Sequence, residues 1–200
     1  MHRVIGKEMY EQLAAELGIE DSELYKTKTN HLIAIRNYTY RRYTDINDRI
    51  RNEHTNTKHQ IAVELLIQAL DSLPIHEEPF LVRWTNLTAE HLKLVSEEGN
   101  LIHEPSFTST SRNPGFYLSG CAHRLLIKHY NGRYIAPWSY YSEEEEEVLI
   151  PPKAVFRTMG YSEQHRSFLL EQLSEEEIES LQDQEEQKPA VEDVVVGGEE

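Results

Sequence analysis

Cysteine is almost missing from this chain. Cys121 is the single copy in 200 residues, so no disulfide can form within it. Its place just ahead of an apolar run reads as a small core residue rather than a nucleophile. Long apolar runs are missing too: no stretch approaches the roughly 18 residues that a membrane helix needs. The residues from Met1 to Lys7 carry no apolar signal-peptide region. The expectation is a soluble protein of a reducing compartment, or one that reaches its site without a cleaved signal. Positive charge is scarce, with 20 Lys and Arg against 35 Asp and Glu and a net charge of −15. That balance argues against a nucleic acid partner. The charge is unevenly placed: residues 171–200 hold twelve acids and one lysine, hence −11, which leaves −4 for residues 1–170. We read a mildly acidic domain over 1–173, helical to about 72 and β-rich from about 79, followed by an acidic tail over 174–200. The tail composition suits a solvated helix with a disordered end. Ten histidines are present, yet none forms a helical i, i+4 pair with an acidic helper or a Cys/His cluster, so no metal is expected.

What is present changes period along the chain. Residues 7–17 have helical spacing and stop at Gly18; residues 21–28 suggest a weaker helix. Tyr43, Ile46 and Ile50 lie on one helical face. Ile61, Ala62, Leu65, Leu66, Ala69 and Leu70 form an apolar stripe that Pro74 ends. After residue 79 the pattern turns to short strands, predicted at 80–84, 106–111, 123–129, 147–150, 155–159 and 167–173, with one helix over 88–98 capped by Thr88. Helices first and strands after indicate an α+β fold, with N-terminal helices packed on a two-sheet β-sandwich.

Three strands carry chemistry. Arg83 lies between Val82 and Trp84 in an apolar strand, and a buried guanidinium needs an anion, either a structural carboxylate or a phosphate. Ser109 and Ser111 share one face of their strand and Thr110 takes the other; such hydroxyls serve local hydrogen bonds or a ligand. Five glutamates, 143–147, run directly into Val148, Leu149 and Ile150. Strand alternation puts Glu145 and Glu147 on one side and Glu146 on the other. Paired carboxylates at the mouth of a core strand form either a solvated charge cluster or a catalytic pair.

These stretches, in this order, resemble the mono-ADP-ribosyltransferases of the arginine-serine-glutamate class, bacterial toxins and effectors among them. The resemblance runs from about Leu32 to Leu173. It rests on Ala34-Ile35-Arg36-Asn37-Tyr38-Thr39 with Tyr43 and Ile46-Asn47-Asp48-Arg49-Ile50-Arg51, on Leu81-Val82-Arg83, and on Phe107-Thr108-Ser109-Thr110-Ser111. Asn131-Gly132-Arg133-Tyr134-Ile135 followed by Ser139, and Glu145-Glu146-Glu147 before the apolar triplet and Pro151, complete it. Trp84 departs from the glycine that often follows the family's arginine. Vertebrate members carry a signal and disulfides, so a bacterial or phage effector is the nearer comparison. Delivery into a target cell, or a phage-encoded cytoplasmic protein, is the corresponding expectation.

The resemblance implies an enzyme that uses NAD as co-substrate, releases nicotinamide and transfers ADP-ribose to an arginine of a target protein. Arg83 would bind the diphosphate, Ser109 would orient Glu147, and Glu147 would stabilise the positive charge on the ribose. Glu145 would serve the acceptor. Trp84, Thr110, Ser111 and Phe116 complete the expected cofactor contacts. Phe116 and Tyr117 lie in residues 112–120, where an aromatic either packs on the cofactor or caps the core. Trp138, Tyr140 and Tyr141, in residues 137–144, fit a contact surface for the acceptor protein or edge packing. The alternatives are the same NAD site with another acceptor or water (an NAD glycohydrolase), and a non-enzymatic interaction module.

Overall fold

The computed structural model describes residues 1–54, 56–141 and 145–186. Helices α1 (His2–Ile5) and α2 (Lys7–Glu16) begin the chain. Tyr10, Leu13 and Ala14 of α2 fall at helical spacing and are buried with Ile33 and Ala34. The helix expected over 21–28 does not form. A 3-10 turn covers Asp21–Glu23 instead, and α3 begins at Thr27. Tyr25 separates the two at φ 66°, where its backbone N–H donates to the Tyr10 hydroxyl at 2.9 Å.

Helix α3 (Thr27–Asn37) continues through a π-helical turn, Tyr38–Arg42, into α4 (Tyr43–Arg51). Helix α5 (Thr57–Asp71) is capped by Asn56, whose side chain accepts from His59 N–H at 3.1 Å. The apolar stripe read from the sequence buries Ala62, Leu66, Ala69 and Leu70.

Eight strands follow: β1 (Phe80–Thr85), β2 (Leu101–Glu104), β3 (Thr108–Ser111), β4 (His123–Lys128), β5 (Arg133–Tyr134), β6 (Glu147–Ile150), β7 (Ala154–Ser162) and β8 (Ser167–Gln172). The expected helix after β1 is α6 (Ala89–Ser96), capped by Thr88; β2 was not foreseen. The spatial order is β2-β7-β8-β4-β1-β3-β6-β5, all antiparallel neighbours except the parallel pair β4 and β8. The series has a weak joint. Between β1 and β4 six residue pairs face each other, whereas β1 and β3 share only Val82 with Ser111. A five-strand half and a three-strand half therefore meet at one point, and the two halves face each other across a core.

Strand β6 explains why that core forms. Its Val148 and Ile150 are buried with Leu81, Ile127, Phe156 and Leu170 of the larger half. Leu149, on the opposite face, is buried with Ile35, Tyr38, Leu66 and Phe107 beneath the helices. A strand buried on both faces reads as an uninterrupted apolar triplet.

The chain after β8 forms α7 (Glu175–Glu186). Ser174 and Glu177 make a reciprocal capping box: Ser174 N–H donates to Glu177 Oε2 at 2.8 Å and Glu177 N–H donates to Ser174 Oγ at 3.3 Å. The rest of the tail, 187–200, and residues 142–144 of the aromatic loop lie outside the described residues.

Candidate active site

Glu147 opens β6, directly opposite Ser111 of β3. Only 3 % of its surface is exposed. The Ser109 hydroxyl donates to Glu147 Oε1 at 2.6 Å, and the Ser139 hydroxyl donates to Oε2 at 3.1 Å. Each carboxylate oxygen thus has a donor. Burial nevertheless raises the Glu147 pKa above its ordinary value, outweighing the two hydroxyls and the Arg83 charge that pull it down.

Arg83 projects from β1 across the joint between the two halves, where its NH1 donates to the Ser109 carbonyl at 2.6 Å. Burial lowers its pKa, but a guanidinium remains charged at neutral pH. Among the described residues no carboxylate lies within ion-pair distance of Arg83. The structural-carboxylate alternative is thus left unfilled, and the guanidinium can still receive an anion.

Arg83, Ser109 and Glu147 line a cleft of about 430 Å³ together with Val82, Trp84 and Glu145. Trp84 is fixed by donation from its Nε1 to the Phe116 carbonyl at 2.6 Å and meets the edge of Tyr117 at 4.9 Å. Phe116 lines the cleft and belongs to no core cluster. A second cavity of about 390 Å³ lies between the sheet halves and α6, and among the described residues Arg83 alone lines both.

The two cleft carboxylates reach one side by a route other than strand alternation. Only Glu147 is in the strand. Glu146 stands at φ 41°, and Glu145 lies in a helical turn whose N–H donates to the Tyr141 carbonyl at 3.2 Å. Glu146 faces away and pairs with Arg112 at 2.6 Å.

The other expected residues divide between the cleft and its surroundings. Ser111 does not line the cleft; its hydroxyl accepts from Asn113 N–H at 3.0 Å and shapes the turn after β3. Thr110 does line the cleft, and its hydroxyl donates to the Val148 carbonyl at 2.6 Å, which ties β3 to β6. Trp138 packs against the helical core. Tyr140 and Tyr141 are exposed and in edge contact at 5.0 Å, with Tyr141 on the cleft. Cys121 is half-buried in the loop before β4 and belongs to none of the core clusters, so it is not the core residue expected. Among the described residues no group of three His, Cys, Asp or Glu side chains could hold a metal ion.

The helical wall of the cleft is Tyr38, Thr39, Tyr43 and Asn47, residues that carry part of the family resemblance but had been given no role in the site. Asn47 Nδ2 donates to the Tyr38 hydroxyl and to the Phe107 carbonyl, each at 3.1 Å. Its Oδ1 is buried without a hydrogen-bond partner among the described residues. Sequence reasoning also passed over how the loop before β6 is held. Arg36 donates from NH1 to the Ser139 carbonyl at 2.6 Å, and Tyr140 N–H donates to Thr39 Oγ1 at 2.9 Å. The signal available was the two aromatics of one helical stretch, Tyr38 and Tyr43, but their direction depends on the π-helical turn between them.

Against known proteins, the model of the ADP-ribosyltransferase exoenzyme family matches residues 4–177. The chain belongs to that family. A relative from Mycobacterium avium (strain 104), Mav, provisionally described as an NAD(+)–arginine ADP-ribosyltransferase, is 31 % identical over 136 residues; the match covers 66 % of this chain and 16 % of Mav. This chain therefore spans about a sixth of that relative's length. The type III effector XopAI of Xanthomonas axonopodis pv. citri has a similar fold, with a TM-score of 0.63 and 22 % identity over 84 % of this chain and 72 % of XopAI. The ATR domain of Salmonella SpvB gives 0.60 and 17 %, over 72 % of this chain and 98 % of the domain. ADP-ribosyltransferases take their ADP-ribose from NAD. The family's α+β fold is the one read from the sequence. No helix among the described residues is long and apolar enough to cross a membrane.

Proposed function

We propose that this chain transfers ADP-ribose from NAD to an arginine side chain of a target protein. The observation that carries the reading is the pair Glu145 and Glu147 lining one cleft with Arg83, while Glu146 between them is turned out to Arg112. The residues fit the co-substrate. Arg83 has a cation to offer a diphosphate, and Asn47 Oδ1 lacks a donor. Arg83 stands on the cleft wall where a diphosphate can meet it. Trp84 and Phe116 then flank the nicotinamide end.

Each residue has a distinct task. NAD supplies a glycosidic bond whose nicotinamide leaves as a neutral molecule with the bonding electrons, so no strong general acid is needed. Glu147 sets a fixed negative charge against the ribose carbon as that carbon becomes positive. Ser109 and Ser139 hold the carboxylate in one orientation. Glu145 aligns the acceptor guanidinium, whose nitrogen forms the new bond to the ribose carbon, and takes the proton that this nitrogen loses. A free guanidinium, with its pKa above about 12, is a poor nucleophile without such a base. The exposed Tyr140 and Tyr141 beside Glu145 form the surface met by the acceptor protein.

Incubation with labelled NAD and a cell lysate tests the assignment. A labelled protein band mapped to arginine is expected. Glu145→Gln should lose the band yet keep slow release of free ADP-ribose, and Glu147→Ala should lose both. Release of ADP-ribose with no band from the parent chain indicates a glycohydrolase; a band mapped to another residue type refutes the arginine assignment.

A further inference from the structure

The Arg112–Glu146 pair lies outside the cleft, and the chemistry above makes no use of it. Glu146 stands between the two cleft carboxylates with φ at 41°, a left-handed conformation that a residue with a Cβ rarely adopts. Three contacts hold it. Arg112 N–H donates to the Glu146 carbonyl at 3.2 Å. Arg112 Nε donates to Glu146 Oε2 at 2.6 Å. The same guanidinium lies 4.3 Å from the ring centre of Tyr134, a cation–π contact. Arg112 directly follows β3, and Tyr134 belongs to β5, so the turn is tied to both strands that flank β6.

The conformation matters because of what precedes it. An extended residue 146 would carry Glu145 onward along the β6 axis by about 3.4 Å per residue. The left-handed residue instead reverses the chain into the helical turn that sets Glu145 on the cleft. Both side chains of the pair are more than a third exposed, at 38 % and 36 %, so the ion pair adds little to global stability. Its effect falls on local geometry.

We propose that Arg112 is a positioning residue for the acceptor: by clamping Glu146 it fixes where Glu145 stands, and so sets transfer against hydrolysis. The inference rests on the reading of Glu145 as the acceptor's base.

The test compares the full chain with Arg112→Ala, Arg112→Lys and Glu145→Gln. Two rates are measured: ADP-ribose released from NAD without acceptor, and ADP-ribose transferred to lysate protein. Arg112→Ala should lower transfer about tenfold or more, with hydrolysis and the KM for NAD within about twofold of the parent. Arg112→Lys keeps a cation against Glu146 and Tyr134 and should recover most of the transfer. Equal loss of both activities, a raised KM for NAD, or unchanged transfer overturns the proposal. If Glu145→Gln itself keeps full transfer, the reading of Glu145 fails, and the positioning role fails with it.

Discussion

The Glu147 side chain sits 3 % exposed with two hydroxyl donors, and burial raises its pKa above the ordinary 4.5. Between 4.5 and the raised folded value, the unfolded chain has already released a proton that the folded chain keeps. Stability therefore falls as pH rises through that window and stays lower above it. Glu147→Gln removes the titration. Its melting temperature should exceed that of the parent at pH 7.5 and converge with it near pH 4, while activity is lost at both. In the parent, NAD hydrolysis should fall with acid at a midpoint above 4.5. A variant no more stable than the parent at pH 7.5 would mean that the serine hydroxyls offset burial fully. The charge that the proposed chemistry needs is thus held against the fold's own preference.

Among the elements, α4 carries the cleft's Tyr43 and Asn47 and is fixed by Asp45. That carboxylate pairs with Arg42 at 3.0 Å and Arg49 at 2.6 Å on its own helical stretch, and with His59 of α5 at 3.1 Å. The bond from Arg49 leads the effects that lower its pKa to about 2. A lowered carboxylate contributes stability above its ordinary value of 3.8 and loses it as pH falls toward 2. Asp45→Asn should therefore lower the melting temperature at pH 6, with a difference that shrinks on acidification from 4 toward 2. Thermal melts across that range check it. The sequence disclosed β1 and β6 because each is an apolar run and β3 by its alternating hydroxyls, and it disclosed Glu147 because an apolar triplet follows at once. Of α3 only the end from Ala34 came with the family resemblance; periodicity does not show the rest, because its buried face includes Thr29 and Asn37 beside Ile33 and Ala34. Ser139 came only with the resemblance, and its bond to Glu147 is set by the loop fold rather than by spacing. Glu145 was assigned to the correct side for the wrong reason, since a left-handed residue and not strand alternation puts it there.

At the scale of the whole molecule, the core ends with Leu173, which is 1 % exposed and whose N–H donates to the Val155 carbonyl at 2.9 Å. Its successor Ser174 begins the acidic helix. Removal of 174–200 should leave the melting temperature and NAD hydrolysis close to those of the full chain; circular dichroism melts and ADP-ribose release measure this. A large fall in either would make α7 part of the domain. The remaining consequence concerns the joint at Val82 and Ser111. Arg83 stands on one sheet half, and Glu147 with Ser109 stands on the other. Across a seam with a single strand pairing, the Arg83 bond to the Ser109 carbonyl acts as a stitch. On the proposed reading a diphosphate that recruits Arg83 competes with this stitch, so the side chain that would meet the dinucleotide is also one that ties the two halves together.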